Sequence, residues 1–264
     1  MNETALEVRG FSFRIGAKPI LRDVSFSVAA GEYLSIVGPN GAGKTTLLKC
    51  IDRVLTGGTG AIAVFGRALA EFSQRDLARR LSYVPQSGGP AFPFSVIEFV
   101  RMGRYPYLGP FASVDRQGQQ AIDEALALTG TAEFADRMLD TLSGGERQKV
   151  FLAAALAQQA DILLLDEPTT FLDYRHQAEI RDLLARVNRR GTTIVSVTHD
   201  LNRAVLDSRR VLALCGGEVA FWGMPNEIMR HEVLERIYQT EFFLASHPQA
   251  AVPIVLPGLA AEGP

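Results

Sequence analysis

Apolar positions fall two residues apart in the first part of the chain and in continuous runs later, and that change of period predicts two kinds of sheet. Leu6-Glu7-Val8-Arg9-Gly10-Phe11-Ser12-Phe13 alternates apolar with polar, and Val24-Ser25-Phe26-Ser27-Val28 does so more cleanly. Period two predicts half-buried strands, here an antiparallel layer. Gly31-Glu32 turns the chain into Tyr33-Leu34-Ser35-Ile36-Val37, and Thr56-Gly57-Gly58-Thr59-Gly60 turns it into a short strand over 61–65. Ser73 is placed to cap a short helix ending near Arg80, ahead of a strand Leu81-Ser82-Tyr83-Val84. From 95 to about 142 the pattern is helical. It is clearest over 115–129, where Ile122, Ala125, Leu126 and Thr129 share a face and Asp123 and Glu124 lie off it. Near-continuous apolar strands return at 162–165, 192–197, 211–215 and 218–222, with helices over 174–188 and 201–206 between them. Such strands alternating with helices predict a parallel sheet covered on both faces. The tail reads as a helix over 232–238 and a segment over 252–256 between prolines.

The turn after the third strand carries chemistry. Gly38-Pro39-Asn40-Gly41-Ala42-Gly43-Lys44-Thr45-Thr46 joins that strand to the helix-prone Leu47-Leu48-Lys49-Cys50-Ile51. The pattern is G-x-x-x-x-G-K-[ST] in the context of strand, loop and helix start, which a turn that merely connects two elements does not require. The glycines let successive N–H groups curl inward toward phosphate oxygens, and the new helix adds its positive end. Lys44 can reach the β- and γ-phosphates, and the Thr45 hydroxyl can hold Mg²⁺. The fold expected is α/β: a P-loop NTPase core of RecA-like type with a mostly parallel sheet, an N-terminal antiparallel β layer and an inserted helical subdomain. The chain is expected to be one domain, with 1–86 and 151–222 forming the nucleotide-binding core, 87–150 the helical insertion and 223–264 a small appendage.

Two further stretches extend the site. Ile162-Leu163-Leu164-Leu165-Asp166-Glu167 is a buried strand ending in two acids. Beside a phosphate loop, an acid at such a strand end holds Mg²⁺, and a second acid one residue later can polarise the attacking water as general base. A solvated turn explains two acids equally well until the phosphate loop is taken into account. In Leu142-Ser143-Gly144-Gly145-Glu146, Ser143 and Glu146 form S-x-x-E, a capping box opening the apolar helix that follows. Capping leaves unexplained two glycines in a first helical turn, each costing about 1 kcal/mol against alanine. They suit an anion brought close to the helix N-terminus.

Composition narrows the function. Across 264 residues, 27 lysines and arginines oppose 29 acids, a net charge of −2 that leaves no global footprint for nucleic acid. Hydrophobic residues make up 47% of the chain, ample for a real core. Cys50 and Cys215 have no metal or redox spacing, as suits free thiols in a reducing compartment. No secretory signal precedes the first strand, and no apolar run reaches the ~18 residues of a membrane span. The reading is a soluble chain whose membrane role, if any, comes through a partner.

Taken in order, the phosphate loop Gly38–Thr45, Gln86 after a strand, Leu142-Ser143-Gly144-Gly145, the pair Asp166-Glu167, Asp173 and His199 after another strand carry a family resemblance. The chain resembles the ATP-binding subunit of ABC transporters over roughly 5–225. The resemblance implies an Mg²⁺-dependent ATPase in which two copies pair head to tail, each ATP lying between one copy's phosphate loop and the other's Ser143-Gly144-Gly145. It implies that Gln86 contacts Mg²⁺ or the lytic water, that Asp166 holds the metal with Thr45, and that Glu167 is the general base. Asp173 would contact the facing copy, and His199 would touch the γ-phosphate and help hold Glu167. Glu146 stands where the family often has glutamine and keeps the capping role. The family's adenine platform is a tyrosine before a glycine in the N-terminal strand pair; here Ile15 precedes Gly16, so either Phe13 stacks on the base or Ile15 makes a weaker apolar contact.

Within the family, Phe92-Pro93-Phe94-Ser95-Val96, Arg101-Met102-Gly103-Arg104-Tyr105-Pro106 and Glu167-Pro168-Thr169-Thr170-Phe171-Leu172-Asp173 followed by Arg175-His176-Gln177 look like the importers of iron–siderophore complexes, haem and cobalamin. That implies a peripheral protein on the cytoplasmic face of the inner (plasma) membrane. Its partners would be a second copy, an integral-membrane permease docked on the apolar loop 91–111, and indirectly an extracytoplasmic substrate-binding protein. The alternatives are a soluble ABC-type ATPase without a permease, working in cofactor assembly, and the ATPase of an exporter.

Overall fold

The period-two stretches at the N-terminus pair as an antiparallel hairpin, β1 (Thr4–Ile15) with β2 (Lys18–Ala29). β1 pairs on its other edge with β4 (Thr59–Val64), which carries the short β5 (Arg67–Ala68), so this sheet runs β2-β1-β4-β5. The structure is a computed structural model and describes residues 3–86, 93–109 and 112–256. Residues 91–92 and 110–111 of the loop expected to receive the permease lie outside the described residues, as do 87–90.

The continuous apolar runs build the central sheet: β3 (Tyr33–Val37), β6 (Leu81–Val84), β7 (Ile162–Asp166), β8 (Thr193–Val197), β9 (Arg210–Cys215) and β10 (Glu218–Gly223). Its order is β10-β9-β3-β8-β7-β6, with every pairing parallel except that of β10 with β9. All five residues of β7 and of β8 are buried, the pattern of strands covered on both faces. Along β7 the pleat sends Leu164 to one face and Leu163 and Leu165 to the other. Leu164 packs with Leu47, Leu48 and Ile51 of α1 (Lys44–Ile51), which is sandwiched between the two sheets. Leu163 and Leu165 pack under Leu152 of α5 (Gly144–Ala157) and under Ile180, Leu183 and Leu184 of α6 (Tyr174–Arg189).

The middle of the chain is helical, as its pattern predicts. α2 (Gln74–Ala78) is capped by Ser73, α3 (Val96–Met102) opens with a capping box of Ser95 and Glu98, and α4 (Arg116–Thr129) is capped by Asp115. α4 buries Ile122, Ala125, Leu126 and Thr129, the face marked by its periodicity. Val96 and Val100 of α3 and Val150, Ala153 and Ala157 of α5 complete the cluster. α5 runs unbroken across position 150, where the division between insertion and core was expected, so that boundary falls inside one helix.

The tail is more closely joined to the core than a small appendage would be. After α7 (Leu201–Asp207) and the β9–β10 hairpin come α8 (Pro225–Ile228), α9 (His231–Tyr238) and a hairpin of β11 (Phe243–Ser246) with β12 (Pro253–Leu256). Ile228, Met229, Leu234 and Ile237 share a buried cluster with Leu201, Ala204 and Val205 of α7 and with Val37 at the end of β3. Among the described residues no helix is long and apolar enough to cross a membrane.

Candidate nucleotide site

Parallel pairing explains why the predicted residues meet. In a parallel sheet the carboxyl ends of all strands lie along one edge, and ligands bind in the crevice beyond it. β3 runs out into the phosphate loop, β6 into Gln86, β7 into Asp166 and Glu167, and β8 toward His199, with β3, β8, β7 and β6 as successive neighbours. Beyond that edge lies a cavity of about 600 Å³ lined by Asn40 to Thr46, Glu167 and His199, and by Lys18, Pro19, Ile20, Arg22 and Gly216.

The loop's shape depends on glycine at two points where other residues would not fit. Gly38 has φ 137°, and a Cβ there would lie 2.0 Å from the Leu214 carbonyl oxygen. Gly43, with φ 98°, stands as the left-handed N-cap of α1, and a Cβ would meet Leu21 at 2.7 Å. Lys44 is buried, and its ammonium donates to the carbonyls of Gly38 (2.7 Å) and Pro39 (2.9 Å) across the loop. Burial holds its pKa below the ordinary lysine value, against the opposing pull of Glu167 and Asp166.

Asp166 is buried, and burial raises its pKa above the ordinary carboxylate value. Two hydroxyls oppose that shift: Thr45 donates to Oδ1 at 2.9 Å, and Tyr83 of β6 donates to Oδ2 at 3.2 Å. Glu167 adopts φ 52°, a left-handed conformation uncommon outside glycine that costs about 1 kcal/mol. Its amide donates to the Val197 carbonyl at 3.0 Å, which anchors the turn to β8. Gln86 Nε2 (2.9 Å) and the Thr170 hydroxyl (3.0 Å) donate to Glu167 Oε2, and His199 Nε2 pairs with Oε1. Three side chains from three segments therefore fix one buried carboxylate beside the phosphate loop.

Tyr83 and Thr170 escape sequence reading for different reasons. Tyr83 reaches Asp166 only through the β6–β7 pairing, which no local pattern encodes. Thr170 lies three residues after Glu167 in the strained turn, and a hydroxyl at that spacing is the signal that could have found it.

Phe13 does not reach the cavity. It is 5% exposed and belongs to the core between the sheets, whereas Ile15 is 56% exposed. The alternation of β1 that would have put the two side chains on one face is broken by a register shift between Phe13 and Arg14. Of the two residues expected to meet the base, Phe13 lies in the core, and Pro19 and Ile20 line the apolar side of the cavity.

Ser143-Gly144-Gly145 is not brought to the cavity of its own chain. It opens α5 on the helical side, where Ser143 accepts from the Glu146 amide at 3.3 Å and the Glu146 carboxylate takes the Ser143 amide at 2.8 Å. The two glycines differ. Gly144 is exposed, and a Cβ there would meet only Leu172, 4.0 Å away. Gly145 is buried, and a Cβ would lie 2.3 Å from the His176 ring. Packing under His176 gives the second glycine a structural reason of its own, beside any approach of an anion to the helix N-terminus. His176 is itself fixed by Asp173, whose carboxylate caps α6 by accepting from the His176 amide at 2.8 Å and contacts Nδ1 at 2.9 Å. Asp173 is flanked by exposed aromatics, Phe171 at 86% and Tyr174 at 89%. Gly145→Ala should therefore lower the thermal unfolding midpoint by several degrees, and Gly144→Ala should leave it within about 1 °C, as differential scanning fluorimetry can read.

A glycine-rich loop feeding a helix, a lysine across it and an acid pair on a neighbouring parallel strand define a P-loop nucleotide triphosphatase. Comparison with known proteins narrows that class. The family model described as ABC transporter matches residues 21–170. An iron(3+)-hydroxamate import ATP-binding protein of Bacillus subtilis is 37% identical over 257 residues, covering 97% of this chain and 95% of the relative. A hemin import ATP-binding protein of Thermobifida fusca is 41% identical over 256 residues, covering 96% and 88%. An inward-facing structure of a metal-chelate type ABC transporter superposes with a TM-score of 0.83 at 27% identity, covering 97% of this chain and 98% of that one. The chain belongs to the ABC transporter family, and it is an ATP-binding subunit that hydrolyses ATP.

Proposed function

We propose that this chain is the ATPase of an importer for a metal chelate, of the siderophore-iron, haem or cobalamin class, working as a head-to-tail pair beneath a membrane permease. The observation that carries the catalytic part is the convergence of Gln86, Thr170 and His199 on Glu167 at the rim of the phosphate cavity. Glu167 takes a proton from the attacking water, and its three partners hold the accepting oxygens in place. The N–H groups of residues 38–46 and the Lys44 ammonium bind the triphosphate. The base rests against Pro19, Ile20 and the exposed Ile15. The Thr45 hydroxyl and the Asp166 carboxylate, bonded to each other at 2.9 Å, are hard oxygen donors beside the phosphates and suit Mg²⁺; Gln86 would add its amide oxygen. When bound, Mg²⁺ neutralises charge on the β- and γ-phosphates.

The pairing follows from what one chain leaves unfinished. The exposed Ser143-Gly144 turn opens a helix N-terminus, a ready anion site, yet it lies apart from the chain's own cavity. A second copy turned head to tail brings that turn onto the γ-phosphate, with Asp173 and its flanking Phe171 and Tyr174 in the contact between copies. ATP shared by both halves favours the closed pair, and cleavage removes that bias. Coupled to a permease, closing and opening become alternating access. On this reading the helical insertion, with α3 at its edge, receives the permease, and the chain sits at the cytoplasmic face of the membrane.

Similarity to import ATP-binding proteins for iron(3+)-hydroxamate and hemin, together with the motifs around Arg101–Pro106 and Asp173, supports an importer. Purification of the tagged chain from its own membranes in mild detergent tests it. A permease should co-purify, and a binding protein loaded with metal chelate should raise ATP turnover several-fold. A chain that stays in the soluble fraction with no permease would contradict the reading.

A further inference from the structure

The C-terminal segment touches the nucleotide site from behind. On α7, Asn202 is clamped to β12 in both directions: its Nδ2 donates to the Val255 carbonyl at 3.0 Å, and its Oδ1 accepts from the Val255 amide at 2.7 Å. Satisfying a donor and an acceptor of the same peptide segment fixes the side-chain amide and the helix that bears it. His199 lies just before α7, beyond the Asp200 cap, so the orientation of α7 sets where the imidazole points. α7 is seven residues long, too short to hold itself without tertiary contacts. Those contacts come from β3 and β9 of the sheet and from α8 and β12 of the tail, with Ile228 and Val255 in or against the same cluster. The cluster also holds Val37, the residue before Gly38, and Tyr238 sits against it with its hydroxyl at the Gly38 amide. One buried cluster thus joins the tail, the histidine's helix and the root of the phosphate loop.

We propose that the C-terminal hairpin braces the catalytic histidine, with Asn202 as a positioning residue that holds α7, and so His199, against Glu167. The proposal rests on the reading that His199 supports Glu167 during hydrolysis. Asn202 is not among the residues that line the phosphate cavity, whereas His199 is, so the effect of Asn202 must pass through His199. A double-mutant cycle isolates that passage, because residues acting through one another are non-additive. The full chain is compared as wild type, Asn202→Ala, His199→Ala and the double variant, by single-turnover hydrolysis with chain in excess over radiolabelled ATP and by ATP affinity.

Asn202→Ala should slow single-turnover hydrolysis about fivefold or more in the wild-type background and less than about twofold in the His199→Ala background, with ATP affinity unchanged. Asn202→Asp keeps the acceptor for the Val255 amide and should recover part of the rate; it also serves if Asn202→Ala fails to fold. Equal slowing in both backgrounds, or no slowing in the wild type, would overturn the brace. Full activity in His199→Ala alone would instead overturn the reading of the histidine on which the brace depends.

Discussion

Glu167→Gln retains ATP binding and loses hydrolysis by about a hundredfold to ten-thousandfold, the range of a positioned general base. The substitution keeps shape, and it keeps an acceptor oxygen for either His199 or the Gln86 and Thr170 donors. It removes the carboxylate's capacity to take a proton. Because Glu167 sits at φ 52° with its amide tied to Val197, the replacement side chain is held in the same place. The loss therefore reports proton transfer rather than disorder. Phosphate release, measured beside ATP affinity by calorimetry on the same sample, separates the two effects. Near wild-type turnover in Glu167→Gln would remove Glu167 from the chemistry.

Lys44→Ala acts one step earlier and abolishes tight nucleotide binding. Lys44 is the cation placed across the loop, and a hydrogen bond to a charged group is worth about 1.5–3 kcal/mol, or roughly tenfold to more than a hundredfold in affinity. Its partners in the structure are the Gly38 and Pro39 carbonyls, so the ammonium also ties the loop to its own helix. A nucleotide offers the same ammonium better acceptors in its phosphate oxygens. Titration calorimetry with ATP should show at least a tenfold weaker Kd, and unchanged affinity would contradict the role.

What is legible in the sequence, and what is not, follows the range of the interactions. The phosphate loop is written in consecutive residues with demanding backbone angles, so Gly38, Gly43 and Lys44 can be placed from local pattern alone. The buried strands are legible because two-sided burial leaves unbroken apolar runs, and the capping boxes at Ser95 and Ser143 because they span a single turn. Phe13 misleads because a bulge breaks the period that the alternation assumes. Tyr83 and the Gly145–His176 packing depend on which elements lie side by side, which only tertiary pairing decides. The hairpin of β11 and β12 escapes the pattern because its strands are short and half exposed, and its contact with Asn202 spans 53 residues of chain.

If half of each nucleotide site comes from another copy, sedimentation velocity of the Glu167→Gln chain will show it. With ATP and Mg²⁺ the chain should sediment as a dimer, without nucleotide as a monomer, and Ser143→Arg in the same background should abolish the dimer while leaving ATP binding intact. A monomer at saturating ATP, or a dimer indifferent to Ser143→Arg, would contradict it.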